Sequence, residues 1–376
     1  MTRRVPRPGA LALCGLAAWL SLFAFNATPP RALANTPSAR ATAGDGWVRG
    51  VTVSCRRNGP GEWDGPDMAP HLNRLTQGMG ANWVAIHPYA RVSADGSVRR
   101  RATDAATTVA TQLAAERGVQ MLIKPHLAYW GSPFDWRGEI DFGDDEPAWE
   151  RFFGQYTQWI VHEARVAQAA GAGAFCVGLE YRKTLHREED WRRVIAEVRK
   201  VFHGPLTYGA HWENVDRVPF WDALDVLGVC FYVPVAAGPN PTEQELRERW
   251  AELRRALASW SERHDGKPIV LAELGYARSV EAGKRPFSDR FVGPAEQAEA
   301  LKALCLRVAL EELRQEPSVV GVFLWKTFPR PTRVAGEFLI QGPALSQAVA
   351  QGWGAQAKEA GAAGAANTLM DQAESP

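Results

Sequence analysis

Paired cysteines, charge of one sign and membrane-length apolar runs are all missing from this chain of 376 residues. Lys and Arg number 43 against 42 Asp and Glu, a formal charge of +1, so there is no basic footprint for nucleic acid. No two cysteines stand at CxxC spacing. Cys55, Cys176, Cys230 and Cys305 lie beyond the leader described below, mostly in apolar strand patterns. Buried thiols are the simplest reading, with a disulfide still open in an oxidising compartment. No G-x-G-x-x-G follows the first strand pattern, which leaves a doubly wound dinucleotide fold without support. The acidic loop 139–146 lacks an EF-hand pattern, and His126 has no second histidine at metal spacing. Neither a metal nor a cofactor is expected.

What the chain does have is tryptophan, 15 in all. Indoles fill cores, and they also suit flat apolar ligands with polar rims, such as sugars. The N-terminus has a basic start (Arg3, Arg4, Arg7), an apolar stretch over 11–25 and an A-x-A site at 32–34. That pattern predicts a signal peptide, 1–34, cleaved near Ala34, and hence export to the periplasm or beyond. An uncleaved anchor is the rival, but the stretch is short for a spanning helix. Leu13 precedes Cys14 where a lipoprotein signal wants a small residue. Residues 35–46 are small and polar, a linker. The Ala/Gly-rich tail, 354–376, predicts disorder or a weak helix. One folded domain, 47–353, remains, and a monomer is expected.

Eight apolar runs of strand length punctuate that domain, at 48–55, 82–88, 120–127, 174–180, 205–212, 224–232, 268–276 and 319–328. Several are apolar without strict alternation, as strands covered on both faces are. Helical periodicity intervenes over 104–117, 149–170, 190–202, 242–264 and 294–315. Thr242 with Glu245 makes a capping box at the start of the fourth. Strand and helix alternating over this length predict a single (β/α)8 barrel.

In such a barrel, chemistry belongs to the C-terminal ends of the strands. Glu180 ends the fourth run (AFCVGLE) and Glu273 comes near the end of the seventh (PIVLAELGY). Glu213 follows the fifth and reads as a loop or supporting residue. Eight strands ~4.8 Å apart and tilted ~36° close at a radius of roughly 7.7 Å. Strands three steps apart are then separated by about 14 Å, and inward glutamates of ~4 to 5 Å reach meet at ~5 to 6 Å. A retaining glycosidase needs about 5 to 5.5 Å between its carboxyl groups and an inverting one about 6.5 to 9.5 Å. The pair therefore predicts glycosidic chemistry, with one carboxyl protonated by burial and the other ionised beside hydrogen-bond donors. Tyr232, at the end of the sixth run, is a candidate donor.

The segments RGVTVSC with Trp63, GANWVAIHPYAR, LIKPHL, FCVGLEY, TYGAHWENV with FWD, LGVCFYVP, PIVLAELGY and VFLWKTF, in this order, resemble glycoside hydrolase family 113, in the large clan of retaining (β/α)8 glycosidases. The resemblance implies Glu180 as acid/base, Glu273 as nucleophile and Tyr232 as the tyrosine bonded to it. It implies Trp325 as the aromatic floor and Lys124 and His126 as cleft-lining residues, with Trp212 flanking. It also implies β-1,4-mannan or a manno-oligosaccharide as substrate. Trp63, Trp130 and Trp136 complete the tryptophans near strand tops, while Trp149, Trp159, Trp191, Trp250 and Trp260 read as packing residues. One departure stands out. Much of the clan has Asn before the acid/base, contacting the sugar 2-hydroxyl; here Leu179 occupies that position, and His211 is the substitute offered. A carbohydrate-binding barrel without catalysis and a transglycosidase are the two rivals.

Overall fold

The computed structural model describes residues 46–56, 61–330 and 338–354. The expected leader, most of the linker and nearly all of the tail lie outside these residues.

The strands are β1 (Val48–Val53), β2 (Trp83–Ile86), β3 (Tyr89–Val92), β4 (Val98–Arg100), β5 (Gln120–Ile123), β6 (His126–Ala128), β7 (Ala174–Leu179), β8 (Leu206–His211), β9 (Val226–Cys230), β10 (Ile269–Leu274) and β11 (Val319–Thr327). Eight of them, β1-β2-β5-β7-β8-β9-β10-β11, close into a barrel in chain order, β11 returning to β1. Every pairing around the ring is parallel. β7 is buried from Phe175 onward and β10 throughout, because helices cover one face and the barrel interior the other.

The helices are α1 (Met68–Arg74), α2 (Asp104–Ala115), α3 (Glu146–Ala170), α4 (Glu188–Arg199), α5 (Glu243–Glu262), α6 (Ala295–Leu313) and α7 (Pro343–Gly352). Five match the periodic segments. α1 and α7 are additional, each too short to carry a strong period. After β8 the place of a helix is taken by 3-10 turns, Trp212–Arg217 and Trp221–Ala223. The caps follow local chemistry. Asp145 accepts from Ala148 N–H at 3.0 Å, Gly171 ends α3 with φ +81°, and the Thr242–Glu245 capping box forms. Among the described residues no helix is long and apolar enough to cross a membrane.

Two of the expected strands break off within their apolar runs. The run 120–127 breaks at Lys124-Pro125, since proline has no N–H for the ladder, and resumes as β6. The run 82–88 stops at Ile86, and the chain resumes as β3. β6 and β4 flank β3 in a small sheet of order β4-β3-β6 beyond the ends of β2 and β5. This break places Lys124 and His126 on the barrel mouth.

The interior of the ring is filled by Ala85, Leu122, Cys176, Leu179, Cys230, Val270 and Phe323 under Tyr232. Gly50 is small by necessity: a Cβ there would lie 2.4 Å from the Phe323 ring. Cys176, Cys230 and Cys305 are buried free thiols, and Cys55 is buried as well. Outside the ring, Trp191 of α4 stacks on Tyr181 (centroids 5.8 Å, 12°) and Phe220 (5.5 Å, 29°) and meets Tyr156 and Tyr208 edge-on. Its indole N–H donates to Thr184 Oγ1 at 3.0 Å. Gly178 lets the wedge approach β7, as a Cβ there would sit 2.9 Å from both Trp191 and Tyr208. The wedge therefore props the turn that carries Glu180.

Truncating Trp191 to Ala opens a cavity in this wedge. Trp191→Ala is expected to lower unfolding stability by about 3 to 5 kcal/mol, measured by equilibrium denaturation.

Candidate active site

Glu273, the penultimate residue of β10, is buried at 4% exposure and its backbone carbonyl accepts from Phe231 N–H at 2.7 Å. Its carboxylate is gripped from two sides. Lys124 Nζ donates to Oε1 at 2.7 Å, and Tyr232 O–H donates to Oε2 at 2.9 Å. Lys124 also donates to the Ala272 carbonyl at 2.9 Å and lies 5.1 Å from the Trp325 ring centroid. With no exposed surface, that ammonium is engaged with β10 rather than open to a ligand. Tyr232 stays a neutral donor because burial pushes its phenol well above the ordinary range.

Glu180 follows β7 in a left-handed conformation, φ +58°, which costs energy for any residue with a Cβ. Two backbone bonds hold it: its N–H donates to Gly209 O at 2.8 Å, and its carbonyl accepts from Arg182 N–H at 2.8 Å. The turn continues into Tyr181, whose N–H donates to Tyr208 O–H at 2.9 Å. Burial, and then the charge of Glu273, push the Glu180 carboxyl up to about 7, against a smaller opposing effect of Arg137 and Lys124. The barrel has thus made two unlike carboxyls. One is half-buried and protonated near neutrality; the other is held by two donors.

Arg137 was not apparent from sequence. It lies on a 3-10 turn, Arg137–Glu139, in the loop after β6, where no periodicity marks it. Its Nη1 donates to His126 Nδ1 at 3.1 Å. Guanidinium only donates, so Nδ1 accepts and the proton of neutral His126 sits on Nε2. That nitrogen is 3.8 Å from Glu273 Oε1. Burial, reinforced by Arg137, holds His126 well below the ordinary histidine range. His126 stacks on His87 (4.7 Å, 16°) and on Trp325 (5.8 Å, 26°), and His87 and Trp325 meet at a tilt of 41°, making an aromatic wall beside Glu273. His87 is another member missed in sequence; its Nε2 meets Ser54 Oγ at 3.1 Å.

The remaining expected residues divide. Trp130 is 53% exposed, packed on Tyr89 and Tyr129 at the rim. Trp136 rests against His211 (5.4 Å) and under the Arg182 guanidinium (5.6 Å). Trp212 joins the interior cluster with its buried indole N–H unpartnered. His211 accepts from Glu213 N–H at 3.3 Å, and burial lowers it to about 4. Glu213 is an exposed loop residue. Trp63 requires correction. It is fully buried, donates to Val53 O at 3.0 Å and meets His87 edge-on, so it backs the histidine wall and does not line the cleft. Composition does not separate a core indole from a cleft indole.

Among the described residues no group of three or more His, Cys, Asp or Glu could hold a metal ion. The polar groups instead suit bond cleavage between a proton donor and a carboxylate, beside aromatic walls that accept a sugar ring.

The family model described as Glycoside Hydrolase Family 113 matches residues 55–330. A GH113 β-mannanase from Alicyclobacillus acidocaldarius, solved in complex with ManMIm, is 26% identical, with a TM-score of 0.69 over 83% of this chain and 98% of its own. A GH113 β-1,4-mannanase at 22% identity has the same fold, with a TM-score of 0.70 over 82% and 99%. No curated protein matches the chain.

Glu180 is expected to be protonated below pH of about 7 and ionised above it. Carbon-13 NMR of carboxyl-labelled glutamate checks this: one resonance should titrate near neutrality and vanish in Glu180→Gln.

Proposed function

Since the chain belongs to Glycoside Hydrolase Family 113, we propose that this glycoside hydrolase is an exported, retaining endo-β-1,4-mannanase. Glu180 acts as acid and base and Glu273 as nucleophile. The observation that carries the reading is the electrostatic contrast across the barrel mouth: Glu273 bonded to Lys124 and Tyr232, facing Glu180 with its raised carboxyl.

The reaction follows from that contrast. A mannan chain lies over Trp325 with a glycosidic oxygen near Glu180 and the anomeric carbon near Glu273. Glu180 gives its proton to the leaving oxygen as Glu273 attacks, so the C–O bond breaks and a glycosyl ester forms. Water then attacks, giving its proton to Glu180, and the ester bond breaks. Positive charge develops on the ring between an anionic carboxylate and the π-face of an indole, both of which stabilise it. Retention rests on the likeness to the clan of retaining (β/α)8 glycosidases, and the charge of Glu273, after burial, helps to raise the Glu180 carboxyl. Sequence similarity to a β-mannanase supports mannan as the substrate. A binding barrel without catalysis has no need of two carboxyls so differently poised. Export rests on the leader, and N-terminal sequencing of secreted protein should begin near Asn35.

Three outcomes are expected in assays. Mannan gives new reducing ends, and the first-formed product keeps the β configuration by NMR; an α product sinks the double displacement. Glu273→Ala loses about 10³-fold or more in kcat, partly restored by azide or formate. For the wild type, kcat/KM falls as pH rises through about 7, because Glu180 then lacks the proton it must give.

A further inference from the structure

Trp130, at 53% exposure, is a large apolar side chain left half in water. Its place is nonetheless built. The segment Tyr129 to Ser132 forms a turn, closed by Ser132 N–H donating to Tyr129 O at 2.9 Å. Gly131 stands third in it with φ +78°, the left-handed backbone that a type II turn needs there. Trp130 is therefore carried at the apex of a hydrogen-bonded turn.

The turn follows β6, and the small sheet decides what lies beside it. β6 pairs in parallel with β3, which sets His126 opposite Tyr89. Side chains at paired positions of neighbouring strands share a face. Tyr89 and His126 accordingly meet edge-on at 5.9 Å, and Trp130 leans on Tyr89 at 5.6 Å. His126 stacks in turn on Trp325 at 5.8 Å. Trp325, His126, Tyr89 and Trp130 thus form a continuous run of rings from the floor of the cleft to its rim.

The inner end of the run sets its direction. His126 Nε2 lies 3.8 Å from Glu273 Oε1, so the rings begin beside the carboxylate assigned to the anomeric carbon. Another tryptophan of the same loop turns the other way. Trp136 rests on His211, at the end of β8, and under Arg182, two residues past Glu180. In the ring β8 adjoins β7, on the side away from β5 and β2. One loop therefore sets an indole on each side of the cleavage point. Trp130 ends the rings that start at Glu273, and Trp136 sits by the turn that carries Glu180. The half of the substrate that stays on Glu273 is the donor half; the leaving half takes its proton from Glu180.

We propose that Trp130 is the stacking surface of a distal sugar subsite on the donor side, roughly two to three sugar units from the bond that is cut. This rests on the mannanase reading above and adds which way the chain lies. An indole face takes the apolar face of a sugar ring while the hydroxyls at the ring edge stay in water. Trp130 has a face left to cover, and its hydrogen-bonded turn holds that face in place before the chain arrives, which lowers the cost of binding. Contact there rewards long chains and is out of reach of short ones, so it directs the enzyme to the interior of a polymer.

The test is Trp130→Ala with β-1,4-manno-oligosaccharides of increasing length, tagged with aminobenzamide at the reducing end. Expected is a loss of kcat/KM about tenfold greater for the hexasaccharide than for the shortest chain the wild type cuts. The tagged fragment should also lengthen, because fewer sugars are then held on the donor side. Trp130→Phe, which keeps a ring, should retain part of the gain with chain length. A tagged fragment that shortens instead puts Trp130 on the acceptor side and overturns the assignment. Equal losses at every chain length in both variants, with unfolding curves like that of the wild type, overturn it as well. A wild type that cuts mannan while Trp130→Ala keeps its rates and its cutting position removes the inference alone. A wild type that cuts no β-glycan removes the mannanase reading and the subsite with it.

Discussion

The buried ion pair between Lys124 and Glu273 is the contact on which the site depends. Both groups have lost nearly all their water, and a buried charge without a partner is expensive. The partners are 149 residues apart in the chain and four barrel strands apart in space, on opposite sides of the ring. Only a closed ring brings them together. The pair is completed by the Ala272 carbonyl and the Tyr232 hydroxyl, so nearly every polar atom around Glu273 has a bond. A carboxylate anchored at both oxygens keeps one orientation, and fixed orientation suits the nucleophile role proposed for Glu273.

Glu180 is built by the opposite means. Its carboxyl has burial and a nearby like charge, and its position comes from the backbone. The left-handed turn, the Gly209 carbonyl and the Trp191 wedge supply what hydrogen bonds supply at Glu273. Unlike environments are what drive two identical side chains toward different protonation states. Aromatic packing distant from the cleft therefore bears on its acid–base chemistry through the turn it supports.

The small sheet β4-β3-β6 and the loop after it add a further layer. By breaking at Pro125 the chain turns from the barrel and brings His126 over Glu273 and then Arg137 over His126. Fixed protonation runs along this line: guanidinium to Nδ1, and the Nε2 proton toward the carboxylate. Within the wall of His87, His126 and Trp325 the two histidines lie face to face because neutral imidazoles can stack without charge repulsion.

Sequence alone determined the barrel, because strands buried on both faces write unbroken apolar runs and the helices between them write a 3.6-residue period. It also determined Glu180 and Glu273 as candidates, since a carboxylate ending an apolar run has no packing reason to be there. Tyr232 and Trp325 were legible for the same positional reason. Tertiary structure decided the rest. Arg137 sits in an aperiodic loop, and its place against His126 is a matter of three-dimensional closure. Lys124 lies at a bend where its side chain could face ligand or protein, and only the approach of β10 directs it to Glu273. Trp63 and Trp130 are the same residue type near the same rim, and burial alone separates them. The physical reason is common to all three: periodicity records which face of an element is covered, while a side chain's partner depends on what the folded chain brings against it.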